Sequence, residues 1–234
     1  MKKFLYILMA VALCGCEVIP NAERLIPVET EPSGQRTHVL IEFTGFRCVN
    51  CPTAAEIAQN LEETYEGRLI VVSLHPASNP FTQGKYDYTC PAADSIYRYL
   101  GGTASTPFPT GNLDIQPYEG DNFVNPSEWA TMVYTAMQDT VMPDLTDATV
   151  SYWLVEDSVL GVQAMPDGSV NMEYYHRHML RDIQASQAGI TIPEGSNPAQ
   201  LYLLTVYTDP KDKHIIQAYE KKLFTGSLVS PVDD

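Results

Sequence analysis

The hydrophobic pattern is most regular between residues 39 and 74. Residues 39–43 form a short run rich in β-branched and aromatic side chains, which predicts a buried strand. Apolar side chains then recur at helical spacing, at Ala54, Ile57, Ala58, Leu61 and Tyr65. Residues 69–74 form a second apolar run of strand length, typical of a buried parallel strand. The pattern therefore predicts a strand, a helix and a parallel strand in succession.

Two more helices are predicted after this unit. Residues 91–100 have a helical pattern that a glycine pair ends, and a short strand is expected near residues 111–115. Asn125, Pro126 and Glu128 have the order of an N-cap, a first-turn proline and an acidic N3 residue. The apolar face of the helix that follows would consist of Trp129, Met132, Val133, Ala136 and Met137.

From residue 147 the pattern changes to strands. Five β-like runs, separated by turn residues, occupy residues 148–156, 159–164, 170–179, 201–208 and 214–224. No helical period competes with them. An antiparallel sheet or small sandwich, lying against or beside the first part, is the simplest packing.

Two cysteines stand between the first strand and the first helix. Cys48 and Cys51 are three positions apart, and Cys48 would lie at or next to the helix N-cap. Free backbone N–H groups and the helix dipole stabilise a thiolate there, so Cys48 is the candidate attacking thiol. Cys51 faces the sheet, should be the more buried, and would resolve a mixed disulfide formed at Cys48. Pro52 is tolerated in the first turn, where N–H groups have no intrahelical partner.

This segment resembles the active-site segment of the thioredoxin superfamily. Many thioredoxins carry an acidic residue on the central strand before the active cysteines, and Glu42 occupies that position here. The resemblance implies that Glu42 is the buried proton acceptor for Cys51. Thioredoxins also place a cis-proline opposite the cysteines, usually followed by threonine, and Pro109 and Thr110 match that signature.

Two other interpretations of the cysteine pair stay open. One is a static disulfide that only joins the strand to the helix. The other is a zinc site, for which His75 and Cys90 would supply the two missing ligands. Cys90, predicted at the start of the second helix, is either a third redox thiol or a partly buried free cysteine.

The first 15 residues have the order of an export signal. Lys2 and Lys3 precede an apolar run at residues 4–13, which is too short to span a bilayer. The Leu-Cys-Gly-Cys sequence that ends at Cys16 resembles a bacterial lipobox, which implies that Cys16 carries lipid. The alternative is an ordinary secretion signal. Residues 16–36 contain three prolines and would form a tether.

The net charge argues against some classes of partner, and the cysteines indicate one disulfide. The chain has 14 basic and 29 acidic residues, for a formal net charge of −15. This balance argues against a nucleic-acid partner and against electrostatic docking on an anionic membrane, so the lipid would be the sole membrane contact. In an oxidising compartment, Cys48 and Cys51 are the expected disulfide.

Blocks of sequence over most of the chain resemble the 28-kilodalton outer-membrane lipoprotein family of gut and oral anaerobes. They are residues 43–45, 48–52, 108–111 and 174–181, with Glu156, Asp157, Gln163 and Gln217 outside them. The resemblance implies a thioredoxin-like domain and a β-rich domain on an outer-membrane lipoprotein. It leaves open whether the lipid faces the periplasm or the cell surface.

His176 and His178 raise a metal hypothesis because alternate residues of a strand face the same way. The competing interpretation is a hydrogen-bonded surface or domain interface. No Ser-His-Asp arrangement, glycine-rich phosphate loop or paired-carboxylate spacing stands out in the sequence. We therefore expect no metal and no cofactor.

The expected organisation is a signal at residues 1–15, a tether at 16–36, an α/β thioredoxin-like domain at 37–142 and a β-rich domain at 147–226. The expected function is thiol–disulfide exchange on exported proteins that contain thiols or disulfides. The site would consist of Cys48, Cys51, Glu42 and Pro109. The alternative is a non-catalytic surface binding or adhesion lipoprotein in which the disulfide is structural.

Overall fold

The computed structural model describes residues 34–187 and 190–223. Over these residues the chain forms, in order, β1 (His38–Phe43), α1 (Cys51–Thr64), β2 (Leu69–Leu74), α2 (Pro91–Tyr99), β3 (Thr110–Leu113), α3 (Trp129–Ala136), β4 (Thr149–Glu156), β5 (Val159–Ala164), β6 (Val170–His176), β7 (Met179–Gln184), β8 (Leu201–Thr208) and β9 (Ile215–Lys222). None of the helices in these ranges is long and apolar enough to cross a membrane. The predicted signal, the predicted lipidation site Cys16 and most of the predicted tether lie outside the described residues.

Seven of the described strands form one mixed sheet, in the order β3-β1-β2-β7-β4-β8-β9. β1 and β2 are parallel along their whole length, and β3 is antiparallel to β1. β7 continues the sheet beyond β2 through a parallel contact at Ser73 and Met179. β4, β8 and β9 then add antiparallel pairs. The fold is therefore mixed α/β, with a large sheet and few helices.

The predicted boundary near residue 147 falls just before β4, but strands from both sides of it belong to the same sheet. A free edge of β2 would carry unpaired N–H and C=O groups, and the C-terminal part provides partners for them. Ser73 N–H, for example, donates to the His178 carbonyl at 2.8 Å. β5 and β6 stay outside the large sheet as a two-stranded hairpin.

Side chains of β1 and β2 are buried on both faces of the sheet. Ile41 and Val72 belong to a core that α2 covers, and this core continues under the C-terminal strands. Leu40 and Val71 point the other way, toward α1 and α3. The same face of β1 also carries Glu42, a buried carboxyl group near the end of the strand, among these apolar side chains.

Most predicted elements are present, with small shifts at their ends. Asn125 caps a 3-10 turn, Pro126–Glu128, and α3 begins after that turn. The prediction of one strand over residues 170–179 is wrong. The chain turns between His176 and Met179, where His178 has a φ of 50°, and the two halves enter different sheets as β6 and β7.

Candidate functional site

The disulfide lies at the start of α1. Cys48 and Cys51 are bonded, with their Cα atoms 5.4 Å apart. Two successive turns lead into the helix: Cys48 N–H donates to the Gly45 carbonyl at 2.9 Å, and Cys51 N–H donates to the Cys48 carbonyl at 3.3 Å. Asn50 is the N-cap. Cys48 therefore stands two residues before the N-cap, farther from the helix than predicted, because the second turn intervenes.

Both cysteines are buried, and each is 2% exposed. The prediction that Cys51 is the more buried of the two is therefore wrong. Two segments distant in sequence pack on the loop before Cys48. Arg47 N–H donates to the Phe81 carbonyl at 3.1 Å, and the Phe46 carbonyl accepts from Ala164 N–H at 2.8 Å.

Glu42 lies on β1 and is 1% exposed. Ser73, its neighbour on β2, donates its hydroxyl to Oε2 at 3.2 Å, whereas Oε1 has no partner among the described residues. Burial raises the pKa of Glu42 from 4.5 to about 7, against the smaller lowering effects of the Ser73 bond and of His178. Near neutral pH, a carboxyl group of this kind can both take up and release a proton.

A polar cavity of about 120 Å³ is lined by both Glu42 and Cys51. Ser73 and His75 lie with Glu42 on its floor. Ser73 is paired with Glu42 across β1 and β2, and His75, the first residue after β2, is two positions farther along the chain and so points to the same face. The start of α1 forms one wall. The C-terminal part closes the other side with Gln163, Met165, Tyr174, His176, Arg177 and His178.

His75 is 2% exposed, and neither ring nitrogen has a hydrogen-bond partner in the part of the chain that the structure describes. Its ring centroid lies 5.5 Å from that of His176 and 6.0 Å from that of Tyr88. Burial lowers the pKa of His75 well below 6.5 and lowers the pKa of His176 to about 4. Both imidazoles are therefore neutral at neutral pH, and the cavity wall that they form is polar but uncharged.

His176 and His178 both line the cavity but contact different partners, and within the described ranges neither belongs to a group of three or more potential metal ligands. His176 ends β6, and its Nε2 lies 3.2 Å from the Val162 carbonyl oxygen. His178 lies in the following turn, with Nε2 3.2 Å from a carboxylate oxygen of Glu62. Burial would lower the pKa of His178, but the bond to Glu62 and the charges of Glu62, Asp157 and Glu220 together outweigh burial and raise it.

Cys90 is a free, buried cysteine at the N-cap of α2. Its Sγ accepts from Ala93 N–H at 3.4 Å, and burial raises the pKa of its thiol. Across residues 34–187 and 190–223, one group of at least three His, Cys, Asp or Glu has its ligand atoms within 4.8 Å of one another: Asp209, Asp212 and His214. The alternative zinc site at Cys48 and Cys51, with His75 and Cys90 as further ligands, is thus not brought together.

A cis peptide bond joins Phe108 to Pro109, as the thioredoxin resemblance implies. Phe108, Pro109 and Asn50 line a groove of about 410 Å³. Different residues of α1 border this groove and the polar cavity, so the two spaces lie on different sides of the helix. Phe81 stacks on Phe108, with ring centroids 5.9 Å apart.

The sequence does not predict the roles of Gln163 and Tyr88. Gln163 Nε2 donates to the Cys48 carbonyl at 2.9 Å, and the Tyr88 hydroxyl accepts from Val162 N–H at 2.8 Å. These contacts join residues 115 and 74 positions apart, so no local pattern indicates them. The one local signal is a glutamine among the apolar residues of β5.

Comparison with known proteins finds a likeness in fold. No protein-family model and no curated protein sequence matches this chain. The solved structure of HBP35 of Porphyromonas gingivalis is 15% identical, covers 87% of this chain and 81% of its own, and has a TM-score of 0.60. A structural-genomics structure from Agrobacterium tumefaciens is also 15% identical, with a TM-score of 0.45 over 82% of this chain and 96% of its own. The first of these shows that most of this chain shares its fold with a solved protein.

Proposed function

We propose that this chain is a thiol–disulfide exchange protein with a thioredoxin-like first part and a β-rich second part. Cys48 is the attacking thiol, Cys51 resolves, and Glu42 exchanges the proton. The observation that carries the proposal is that Cys51 and a buried carboxyl group, whose pKa is raised to about 7 by burial, line the same polar cavity. A buried acid of this kind that shares a cavity with a resolving thiol is suited to proton transfer.

In the reducing direction, the Cys48 thiolate attacks one sulfur of a substrate disulfide, and the other substrate sulfur leaves as a thiolate. Cys51 gives its proton to the Glu42 carboxylate, and the Cys51 thiolate then attacks Cys48 Sγ. The Cys48–Cys51 disulfide forms and the second substrate thiolate leaves. Two electrons have then passed to the substrate, both substrate thiolates take protons from water, and Glu42 returns its proton to water. The reverse order oxidises a dithiol.

The groove at Pro109 supports an extended polypeptide as the substrate. Its lining by Asn50 and Phe108 offers both a polar and an aromatic contact beside the disulfide loop. Val49, between the cysteines, is 44% exposed and adds an apolar contact. An exported protein with a thiol or disulfide in an unfolded or flexible segment would fit this surface.

The proposed location is the outer membrane, with lipid on Cys16 as the anchor. This part of the proposal rests on the order of charge, apolar run and cysteine in residues 1–16 and on the resemblance to the 28-kilodalton outer-membrane lipoprotein family. An oxidising compartment would keep the disulfide formed until a reductant or a substrate dithiol reacts with it.

Trapping of mixed disulfides tests the proposal. In the Cys51→Ser variant a mixed disulfide formed at Cys48 has no resolving thiol, so we expect covalent adducts with exported proteins that a reductant releases. The matched control is Cys48→Ser, which keeps one cysteine of the pair and should give few adducts. Equal yields from the two variants, or none from either, would refute an exchange site at Cys48.

A second candidate function is that of a non-catalytic binding or adhesion lipoprotein in which the disulfide is structural. The observation that favours it is the 2% exposure of both cysteines. The two candidates differ in how the thiols react after mild reduction. Alkylation of Cys48 with Cys51 protected supports exchange, whereas protection of both thiols until denaturant is added supports the structural disulfide.

A further inference from the structure

The β5–β6 hairpin is attached directly to the loop that carries the disulfide. This hairpin lies outside the seven-stranded sheet and forms a sheet of its own. A two-stranded hairpin is marginally stable in water by itself, so its position depends on its contacts with the rest of the chain. The contacts of its inner face therefore determine where the hairpin lies.

Gln163 makes the central contact. Its side-chain amide donates to the Cys48 carbonyl at 2.9 Å and to the Gly45 carbonyl at 3.4 Å. The next residue of the hairpin, Ala164, donates its N–H to the Phe46 carbonyl at 2.8 Å. The hairpin thus binds three carbonyl groups of residues 45–48, the segment that fixes where Cys48 lies.

The proline in the first turn of α1 leaves the Cys48 carbonyl free to accept from a side chain. In a regular helix the N–H of Pro52 would donate to the Cys48 carbonyl, but proline has no N–H. The Cys48 carbonyl accepts instead from Cys51 N–H and from Gln163. Gln163 is 2% exposed, so a substitution that removes its amide takes one of two donors from each of the Gly45 and Cys48 carbonyl groups and removes the bonds that join the hairpin side chain to this loop.

Tyr88 holds the same hairpin from a second segment. Its hydroxyl accepts from Val162 N–H at 2.8 Å, and its ring centroid lies 4.7 Å from that of His176 at the end of β6. The approach is close at Gly161, where a Cβ atom would clash with the Tyr88 hydroxyl. The segment before Tyr88 also binds the disulfide loop, through the bond from Arg47 N–H to the Phe81 carbonyl.

Much of the outer face of the hairpin is exposed. Leu160, Met172 and Tyr175 are 57%, 59% and 57% exposed. The hairpin is therefore held mainly through its inner face, and such elements are the ones that open locally while the main core stays folded. Opening would release the carbonyl groups of residues 45–48 and widen the cavity that Cys51 shares with the hairpin residues Gln163 and His176.

We propose that the β5–β6 hairpin is a clamp on the disulfide loop that must release before Cys48 can react with another protein, and that Gln163 is the positioning residue that holds it closed. The proposal rests on the exchange function proposed above. It gives the C-terminal part a role in that function, because this part sets how often Cys48 becomes accessible. Cys48 itself stays the reacting group.

The test measures alkylation of Cys48 by iodoacetamide in the full chain, in a Cys51→Ser background, with the modified residue identified by peptide mass. We expect Gln163→Ala to raise the alkylation rate of Cys48 about tenfold, the factor that corresponds to the loss of one or two hydrogen bonds. Gln163→Glu keeps the side-chain length but, when ionised, has no donor, so it should act in the same direction. Met172→Ala, on the exposed face of the same hairpin, is the matched control and should change the rate by less than about twofold.

Cys90 belongs to the same apolar core cluster as Cys48 and Cys51 but lies at the N-cap of α2, so it reports loosening of that core as a whole in the same samples. Its alkylation rate should not change in the Gln163 variants. An unchanged Cys48 rate in both Gln163 variants, or an equal rise at Cys90, would overturn the clamp. If the variants release Cys48 but no mixed disulfide can be trapped, the exchange function fails while the clamp stands.

Discussion

Replacement of Glu42 by glutamine should increase the stability of the protein, relative to that of the unsubstituted protein, as pH rises. Burial raises the pKa of Glu42 from 4.5 to about 7 in the folded state. Between these values the folded state keeps a proton that the unfolded state has lost, so a rising pH destabilises the fold. This sign is opposite to that of a salt-bridged carboxylate, whose lowered pKa stabilises the fold at neutral pH. Glutamine removes the titration and can still accept from the Ser73 hydroxyl.

The rise of the pKa from 4.5 to about 7 corresponds to roughly 3 kcal/mol, at about 1.4 kcal/mol for each pH unit. The loss of stability caused by ionising Glu42 in the folded state is absent below about pH 4 and complete above about pH 8. The free energy of unfolding of Glu42→Gln, minus that of the unsubstituted protein, should therefore increase by about 3 kcal/mol between these two pH values. Any fixed effect of the amide on packing is the same at both and does not enter this difference.

Urea unfolding of the oxidised protein at about pH 4, 6 and 8 measures these free energies. Glu220, whose pKa burial also raises to about 7, titrates in both proteins and cancels in the subtraction. Glu63→Gln, at an exposed position of α1, is the matched control and should give a difference close to zero throughout. A difference for Glu42→Gln that is the same at pH 4 and pH 8 would show that Glu42 ionises normally, and its proposed role in proton transfer would lose its basis.

Three other substitutions test single contacts. The pKa of His178 is raised above 6.5, so its pair with Glu62 stabilises the fold below pH 6.5 and loses this effect as pH rises through the folded-state pKa. Glu62→Gln should therefore lower the free energy of unfolding by about 1–2 kcal/mol at about pH 5.5 and by less at about pH 9. An equal loss at the two pH values would contradict this. Gly111→Ala would place a Cβ atom 2.6 Å from Trp129 Nε1, so urea unfolding should show a loss of about 1–3 kcal/mol, and a neutral result would mean that the indole can move away. Serine is a good helix N-cap, so Cys90→Ser should change the free energy of unfolding by less than about 1 kcal/mol. The yield of trapped mixed disulfides should also stay the same, and a lower yield would identify Cys90 as a redox thiol.

The first half of the fold could be predicted because its signals are local. The apolar runs of β1 and β2 and the helical spacing after Cys51 are patterns within a few residues, and they appear as predicted in the structure. The cis bond before Pro109 follows from a short sequence signature. The buried position of Glu42 likewise agrees with what the resemblance implies.

The joining of the two halves could not be predicted, because it depends on contacts between residues far apart. β7 pairs with β2 through Ser73 and Met179, and nothing in either strand specifies the other. The break at His178 is hidden in a continuous β-like run, because the positive φ of one histidine leaves no compositional mark. The same holds for Gln163, whose contact with the Cys48 carbonyl spans 115 positions.

The proposed function requires that the Cys48–Cys51 disulfide exchange with other thiols. Equilibration of the protein with glutathione buffers of defined ratio, read out by alkylation of the reduced pair, gives its reduction potential, with Cys48→Ser and Cys51→Ser as controls. We predict a potential above roughly −270 mV, in the range of proteins that exchange disulfides. A potential below about −300 mV, as in structural disulfides of secreted proteins, would contradict the account and leave a binding lipoprotein with a fixed disulfide.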